Sequence, residues 1–329
     1  MIKHSLRMLG VMLALASSLV VAAELSSADK HAIAEANKFM ERGSKFAAED
    51  SLARAKAEYQ KALKTFPRHL DALYNLAIVC EKLGQNDEAV AHYKHYVELA
   101  PRDADAWTQL GLRYDATGKK ADAQAAFEQA LVVNPGCGLA HHNLGVLLEE
   151  QGKFDDAQRH LETFVKIEEA LKRKNGDAYY SLGTLHLARG QVKDAKRVLQ
   201  QALDVDPSIS YYNNAMGDVH LAERQPNMAL MYYQKALDKD EKYAPAYSGM
   251  GEAYHQLGER DKAAAAYWRA LALRKDYRLV YFKLGLLYEE TSPEQAIKHF
   301  ENYLASGKNL EFQKEATARI EKLKQAKQK

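Results

Sequence analysis

The chain is poor in the residues that build disulfide scaffolds and irregular loops: of 329 residues only 2 are Cys, 7 are Pro and 18 are Gly. Two cysteines cannot make a disulfide framework, and no CxxC pair is present for zinc or thiol redox chemistry. Neither sign of charge is in excess. The 46 Lys and Arg against 44 Asp and Glu exclude an acidic disordered tail and a nucleic-acid binder built on overall basicity. No GxSxG, HExxH, Walker or GxGxxG sequence occurs, and no run reads as a strand that would hold one. The chain is therefore read as a non-enzyme, with no catalytic residue, no cofactor and no metal assigned. What it has in quantity is apolar surface, 47% hydrophobic residues with 19 Tyr, in a length suited to about two ordinary domains.

The one long apolar run lies at the start. Lys3 and Arg7 precede Met8 to Ala23, which ends in Val21-Ala22-Ala23, side chains small enough for a signal peptidase. Residues 1–23 are thus expected to be a signal peptide cleaved before Glu24, giving an exported chain, periplasmic or secreted, without stable membrane insertion. The alternative is an inner-membrane tether by the uncleaved segment, but the run is about 16 residues where a spanning helix needs about 20. Cleavage removes Lys3, Arg7 and no acid, leaving 44 bases against 44 acids. Any electrostatic preference for a partner must then come from where charges sit.

The scarce residues are periodic. Pro67, Pro101 and Pro135 are 34 apart, and Ala55, Ala89, Ala123, Ala157, Ala195, Ala229, Ala263 and Ala296 follow at steps of 34, 34, 34, 38, 34, 34 and 33. Gly43, Gly111, Gly145, Gly183, Gly217, Gly251 and Gly285 keep the same register, with Ala77 in that place in the second unit. Gly84, Gly118, Gly152, Gly190 and Gly258 mark a second fixed position. In the best unit Trp107, Leu110, Gly111 and Tyr114 form one apolar stripe at helical spacing, and Ala123, Phe127, Ala130 and Leu131 form another. Each unit is thus a pair of helices whose small residues let the backbones approach. A lone pair leaves an apolar face open, so units must stack.

The pattern Trp107-x2-Leu110-Gly111-x2-Tyr114, Ala123-x3-Phe127, Ala130 and Pro135 resembles the tetratricopeptide repeat, and the likeness covers roughly residues 36 to 309. The expected fold is all-α, a right-handed α-solenoid of stacked antiparallel helix hairpins with a C-terminal capping helix. Residues 24–35 read as a lead-in helix capped by Ser26 or Ser27, residues 36–310 as eight repeats starting near 36, 70, 104, 138, 176, 210, 244 and 278, and residues 311–329 as the cap. The fourth unit is four residues longer and lacks the closing proline, so its second helix should project further.

The first helices are expected to line a concave groove, where the second, fifth, ninth and twelfth residues of each unit share a face. Its candidate peptide-binding residues are Tyr74, Ile78 and Glu81 in the second unit, Thr108, Leu112 and Asp115 in the third, and His142, Val146 and Glu149 in the fourth. Tyr180, Thr184, Tyr211, Asn214 and Asp218 continue it, followed by Ser248, Glu252, Phe282 and Glu289. The full stripe contains acids and no Lys or Arg. Near helix C-termini the dipole disfavours acids, so Glu81, Asp115, Glu149 and Glu289 call for another reason; bases beside them such as Lys82 or Arg113 are one.

His141 and His142 are adjacent and point about 100° apart on a helix, so they cannot chelate one metal together. His92 and His95, one turn apart, read as solvated-face residues with at most adventitious metal affinity. Cys80 and Cys137 fall at opposite hairpin ends and are expected as free thiols. The resemblance implies a protein-interaction scaffold holding a peptide segment or a partner helix. With the export signal this becomes a cell-envelope adaptor with a protein or peptide partner, a basic one if the acidic stripe matters, and no nucleic acid. Self-association into a homo-oligomer and a chaperone role for an exported apoprotein are the alternatives.

Overall fold

A computed structural model describes residues 26–307 and 312–326. The signal-peptide segment lies outside the described residues. Among those described there are seventeen α-helices and no strand. They are α1 (Ser27–Ala48), α2 (Leu52–Thr65), α3 (Leu70–Lys82), α4 (Asn86–Leu99), α5 (Ala104–Ala116), α6 (Lys120–Val133), α7 (Gly138–Glu150), α8 (Phe154–Ala170) and α9 (Gly176–Ala188). α10 (Val192–Val205), α11 (Ser210–Ala222), α12 (Pro226–Lys239), α13 (Ala244–Gln256), α14 (Arg260–Leu273), α15 (Arg278–Tyr288), α16 (Pro293–Ala305) and α17 (Gln313–Ala326) follow. The chain forms two compact units, one ending at Ala140 and the other beginning at His141. From α1 to α6 in the first and from α8 to α17 in the second, each helix packs on its neighbours in sequence, the arrangement of stacked antiparallel hairpins.

The hairpin is built by a glycine and a ring. A Cβ added at Gly111 on α5 would lie 2.5 Å from the ring of Phe127 on α6, so in this hairpin glycine lets the ring sit between the two backbones, while Ala77 takes the same place opposite Tyr93 in the second unit. The ring slot holds Tyr59, Tyr93, Phe127, Tyr233, Tyr267 and Phe300, all nearly or wholly removed from water. Burying one such side chain is worth about 1.5–3 kcal/mol. At the turn the demand is different. Gly118 has φ +76° and open space around it, so there the backbone needs the left-handed conformation that ends a helix. Asp50 and Arg224 occupy the same register position and adopt φ 56° and 58° without being glycine, a conformation that costs a non-glycine residue about 1–2 kcal/mol.

α1 runs 22 residues, so the lead-in and the first helix of the first unit are one continuous helix. Ser26 caps it: the hydroxyl accepts from the Asp29 amide and the Asp29 carboxylate accepts in return. In the longer unit α8 has 17 residues where α6 has 14. Its end is closed by Lys172 at φ 54° and by the buried Glu168 carboxylate, which accepts from Asn175 Nδ2 at 2.9 Å and Arg173 Nη1 at 3.5 Å. That network does the work proline does elsewhere. At the C-terminal end, Ala316, Ile320 and Leu323 of α17 are buried against Phe300 and Tyr303. Among the described residues no helix is long and apolar enough to cross a membrane.

Candidate functional site

Consecutive odd-numbered helices touch one another as well as their hairpin partners: α1 with α3 in the first unit, and α9 with α11, α11 with α13 and α13 with α15 in the second. No consecutive even-numbered pair packs to that extent among the described residues. Within each unit the stack is therefore tighter on the odd side.

The candidate residues on these helices divide by burial. Tyr74, Ile78, Glu81, Leu112, Asp115, His142, Val146, Glu149, Tyr180, Thr184, Tyr211, Asn214, Asp218, Glu252 and Glu289 are partly exposed. Thr108, Ser248 and Phe282 are buried, and the expectation that they line an open groove is corrected. Thr108 turns its hydroxyl to the Ala104 carbonyl at 2.8 Å and lies beside the Cys137 thiol at 3.6 Å. Ser248 is small enough to be covered by the neighbouring helices. Phe282 belongs to the last repeat, where Phe312 stacks on its ring at 4.7 Å; the cap converts an inner-face aromatic into core.

Three of the six candidate acids pair with bases beyond their own hairpin, and a fourth pairs within it. Glu81 on α3 pairs with Arg113 on α5 at 3.1 Å, Glu252 on α13 with Lys283 on α15 at 2.5 Å, and Glu289 on α15 with Arg319 on α17. Asp115 pairs with Lys120 at 2.7 Å. Arg113 was within reach of sequence reasoning. Lys283 and Arg319 were not, because each sits outside the four stripe positions and reaches it only when repeats stack. A half-exposed pair of this kind contributes little free energy, but it neutralises the field. The base-free stripe is thus less acidic than its composition suggests.

One region of the second unit keeps both acid and aromatic character. Tyr180 on α9 meets Tyr211 and Tyr212 on α11 with ring centroids 4.9 and 5.6 Å apart, and Tyr211 and Tyr212 lie edge-on at 4.8 Å. Both α11 hydroxyls donate to one oxygen of Asp177, at 2.6 and 2.7 Å. Burial and then the charges of Asp218, Asp177 and Glu149 push the Tyr180 hydroxyl pKa up. Tyr211 is pushed up to about 12, by burial and by its bond to Asp177. Asp218 accepts from Tyr233 at 2.7 Å and from Asn214 at 3.0 Å. Its burial nonetheless raises its carboxyl to about 6, against the opposing effects of the Tyr233 bond and the Lys283 charge.

Glu149 is half-buried, and burial followed by the neighbouring Glu150 raises its pKa. Across the same face His142 Nε2 shares a hydrogen bond of 2.9 Å with Ser181, and burial pulls its pKa down, so it is neutral at pH 7. Ser181 is buried, whereas the face formed by Tyr180 and Tyr211 is partly exposed. That face offers flat aromatic area bordered by carboxylates, which suits a cationic or amphipathic segment. Sequence reasoning found Tyr180, Tyr211 and Asp218 by helical spacing. It missed Tyr212, which belongs to the core slot and joins the cluster through both its ring and its hydroxyl.

Comparisons with known proteins agree with the geometry. Sequence descriptions of the tetratricopeptide repeat match residues 46–111, 104–137, 136–208, 180–244 and 246–281. No curated protein matches the chain. A tetratricopeptide repeat protein from Parabacteroides merdae is similar in structure at a TM-score of 0.65 and 17% identity, over 77% of this chain and 99% of that one. The Cut9-Hcn1 hetero-tetramer of APC/C contains a chain similar at a TM-score of 0.63 and 21% identity; the match covers 92% of this chain and 57% of the other, so this chain spans a little over half of it. PilF of Pseudomonas aeruginosa is similar at 0.55 and 20% identity, over 67% and 95%. At these identities the likeness shows the fold. With the repeat matched over residues 46–281, well over half of the chain, the chain belongs to the tetratricopeptide repeat family, typically a non-catalytic protein-interaction module.

Proposed function

We propose that this scaffold binds a basic peptide segment or partner helix on the odd-helix face of its second unit, with Tyr180 and Tyr211 as apolar anchors and Glu149 and Asp177 as the acidic border. The observation that carries the reading is the Tyr180 ring, which lies against two further tyrosines and within the field of three carboxylates. Glu81, Glu252 and Glu289 are engaged by bases of the next helix pair or the cap and Asp115 by Lys120 of its own hairpin, whereas Asp177 is held by tyrosine hydroxyls, so this cluster is where a partner's charge finds acceptors. Rigid tyrosines bury large area at small rotamer cost, and carboxylates select the sign of the partner.

The test is a comparison of fluorescent peptides identical except for their charge. The cationic peptide binds more tightly, its affinity falls with added salt, and Tyr180→Ala weakens it by about 10- to 30-fold, the scale of an aromatic hot spot. Equal affinity for cationic and anionic peptides, or an unchanged affinity in Tyr180→Ala, removes the reading.

The same proposal places the scaffold in the cell envelope, as an exported adaptor. The support is the basic start, apolar run and small-residue end of residues 1–23. Expression of the full chain should yield a mature species beginning at Glu24, read by mass spectrometry of the intact protein. A species that retains residues 1–23 would favour the tethered alternative.

A further inference from the structure

The second hairpin gathers three metal-ligating side chains that no groove function uses. Cys80 near the end of α3 is fully buried, and across the turn Glu88 and His92 stand one helical turn apart on α4. Their Sγ, carboxylate oxygen and ring nitrogen all lie within 4.8 Å of one another. We propose that Cys80, Glu88 and His92 form a binding site for a divalent transition-metal ion of the zinc type.

The ligand set argues for that class of ion. A thiolate with an imidazole and a single carboxylate suits zinc or cobalt(II), and excludes calcium and magnesium, which take oxygen ligands throughout. A tetrahedral ion with bonds of about 2.0–2.3 Å holds its ligand atoms about 3.3–3.8 Å apart. The cluster therefore needs a contraction of up to about 1.5 Å, supplied by the exposed Glu88 and partly exposed His92 while Cys80 stays fixed in the core. Three protein ligands leave a fourth position for water or for a side chain of a partner.

A tethered cation is already present. Lys56 on α2 donates to Glu88 Oε2 at 2.7 Å and to Gln85 Oε1 at 2.8 Å, so its ammonium neutralises the carboxylate that the metal would use. Loading then has a defined balance: the metal enters, the Cys80 thiol loses its proton to solvent, and the Lys56 ammonium swings away from Glu88. Lys56 is a competitor, and its removal should strengthen binding. His95 lies one turn further along α4 and outside the cluster, which makes it the control.

The experiment is titration of the full chain, kept reduced, with cobalt(II) alone, followed by absorption. One equivalent should produce a near-ultraviolet thiolate-to-cobalt band, which Cys80→Ser abolishes. His92→Gln should weaken binding by more than about tenfold, the low end of what even an outer-shell change costs. His95→Gln should leave the affinity unchanged and Lys56→Met should tighten it. The absence of a band in the unmodified chain overturns the proposal, as does a band that survives Cys80→Ser or an affinity that His92→Gln leaves alone. Should Cys80→Ser fail to fold, judged by circular dichroism, the partly exposed His92→Gln decides by itself.

Discussion

Replacing Gly249 with valine is expected to lower the unfolding free energy by about 3 kcal/mol or more, at the upper end of what overpacking a core costs. A Cβ at that position would lie 2.4 Å from Cζ and 2.8 Å from the hydroxyl oxygen of Tyr233. The ring cannot retreat. On its other side a Cβ at Gly217 would meet the same ring at 2.5 Å, and the hydroxyl is tied to Asp218 at 2.7 Å. Tyr233 thus sits between α11 and α13, filling its own hairpin and sealing it to the next. In a repeat array, stability combines the intrinsic term of each repeat with its interface terms, and this substitution damages both. Gly118→Ala is the contrast. There the added carbon meets nothing, the only strain is φ +76°, and the cost should be about 1 kcal/mol. Urea unfolding followed by circular dichroism reads both, and a valine variant as stable as the alanine one would refute the clamped-ring account.

The second large effect is expected from Asp218→Asn, which should stabilise the fold at pH 8 by about 3 kcal/mol and have no such effect below pH 4. The ordinary aspartate value of 3.8 is raised to about 6 in the folded chain. As pH rises from about 4 the unfolded chain ionises first, so stability falls until the folded carboxyl also ionises near 6, and the penalty is then constant. The groups facing it are Tyr233 on α12, Glu252 on α13, Lys283 on α15 and Tyr180 on α9. Asparagine removes the buried charge while its amide oxygen still accepts from Tyr233. Lys283 keeps Glu252 as its partner. Thermal melts of both chains at pH 4 and pH 8 check this. A stability difference that is the same at both values would show that burial of the charge is not its source.

The two effects meet at one place, and it adjoins the proposed binding face. Asp218 holds the ring that wedges two repeats and also lends its charge to the field around Tyr180. An acid kept there against an energetic cost is understandable if the partner is cationic. A largely desolvated carboxylate is costly even when hydrogen-bonded, as Asp218 is by Tyr233 and Asn214.

Sequence alone determined the helical repeat, because a packing unit of two helices imposes its spacing on every copy. A small residue facing the ring and a residue that takes the left-handed turn recur at steps of about 34, most often as glycine, whatever fills the positions between. Single-helix faces were legible for the same reason, which is why Tyr180, Tyr211 and Asp218 could be chosen from the 3, 4, 3 spacing. Whether a residue on that face is open to a partner was decided by its neighbours in other repeats. Glu81, Glu252 and Glu289 are neutralised by bases 30 to 32 positions away, and Phe282 is covered by the segment leading into α17. Only hairpin closure brings Cys80 beside Glu88 and His92. Periodicity is a property of one helix pair, whereas charge pairing, capping and ligand clusters belong to the contacts between elements, and those exist only once the chain has stacked.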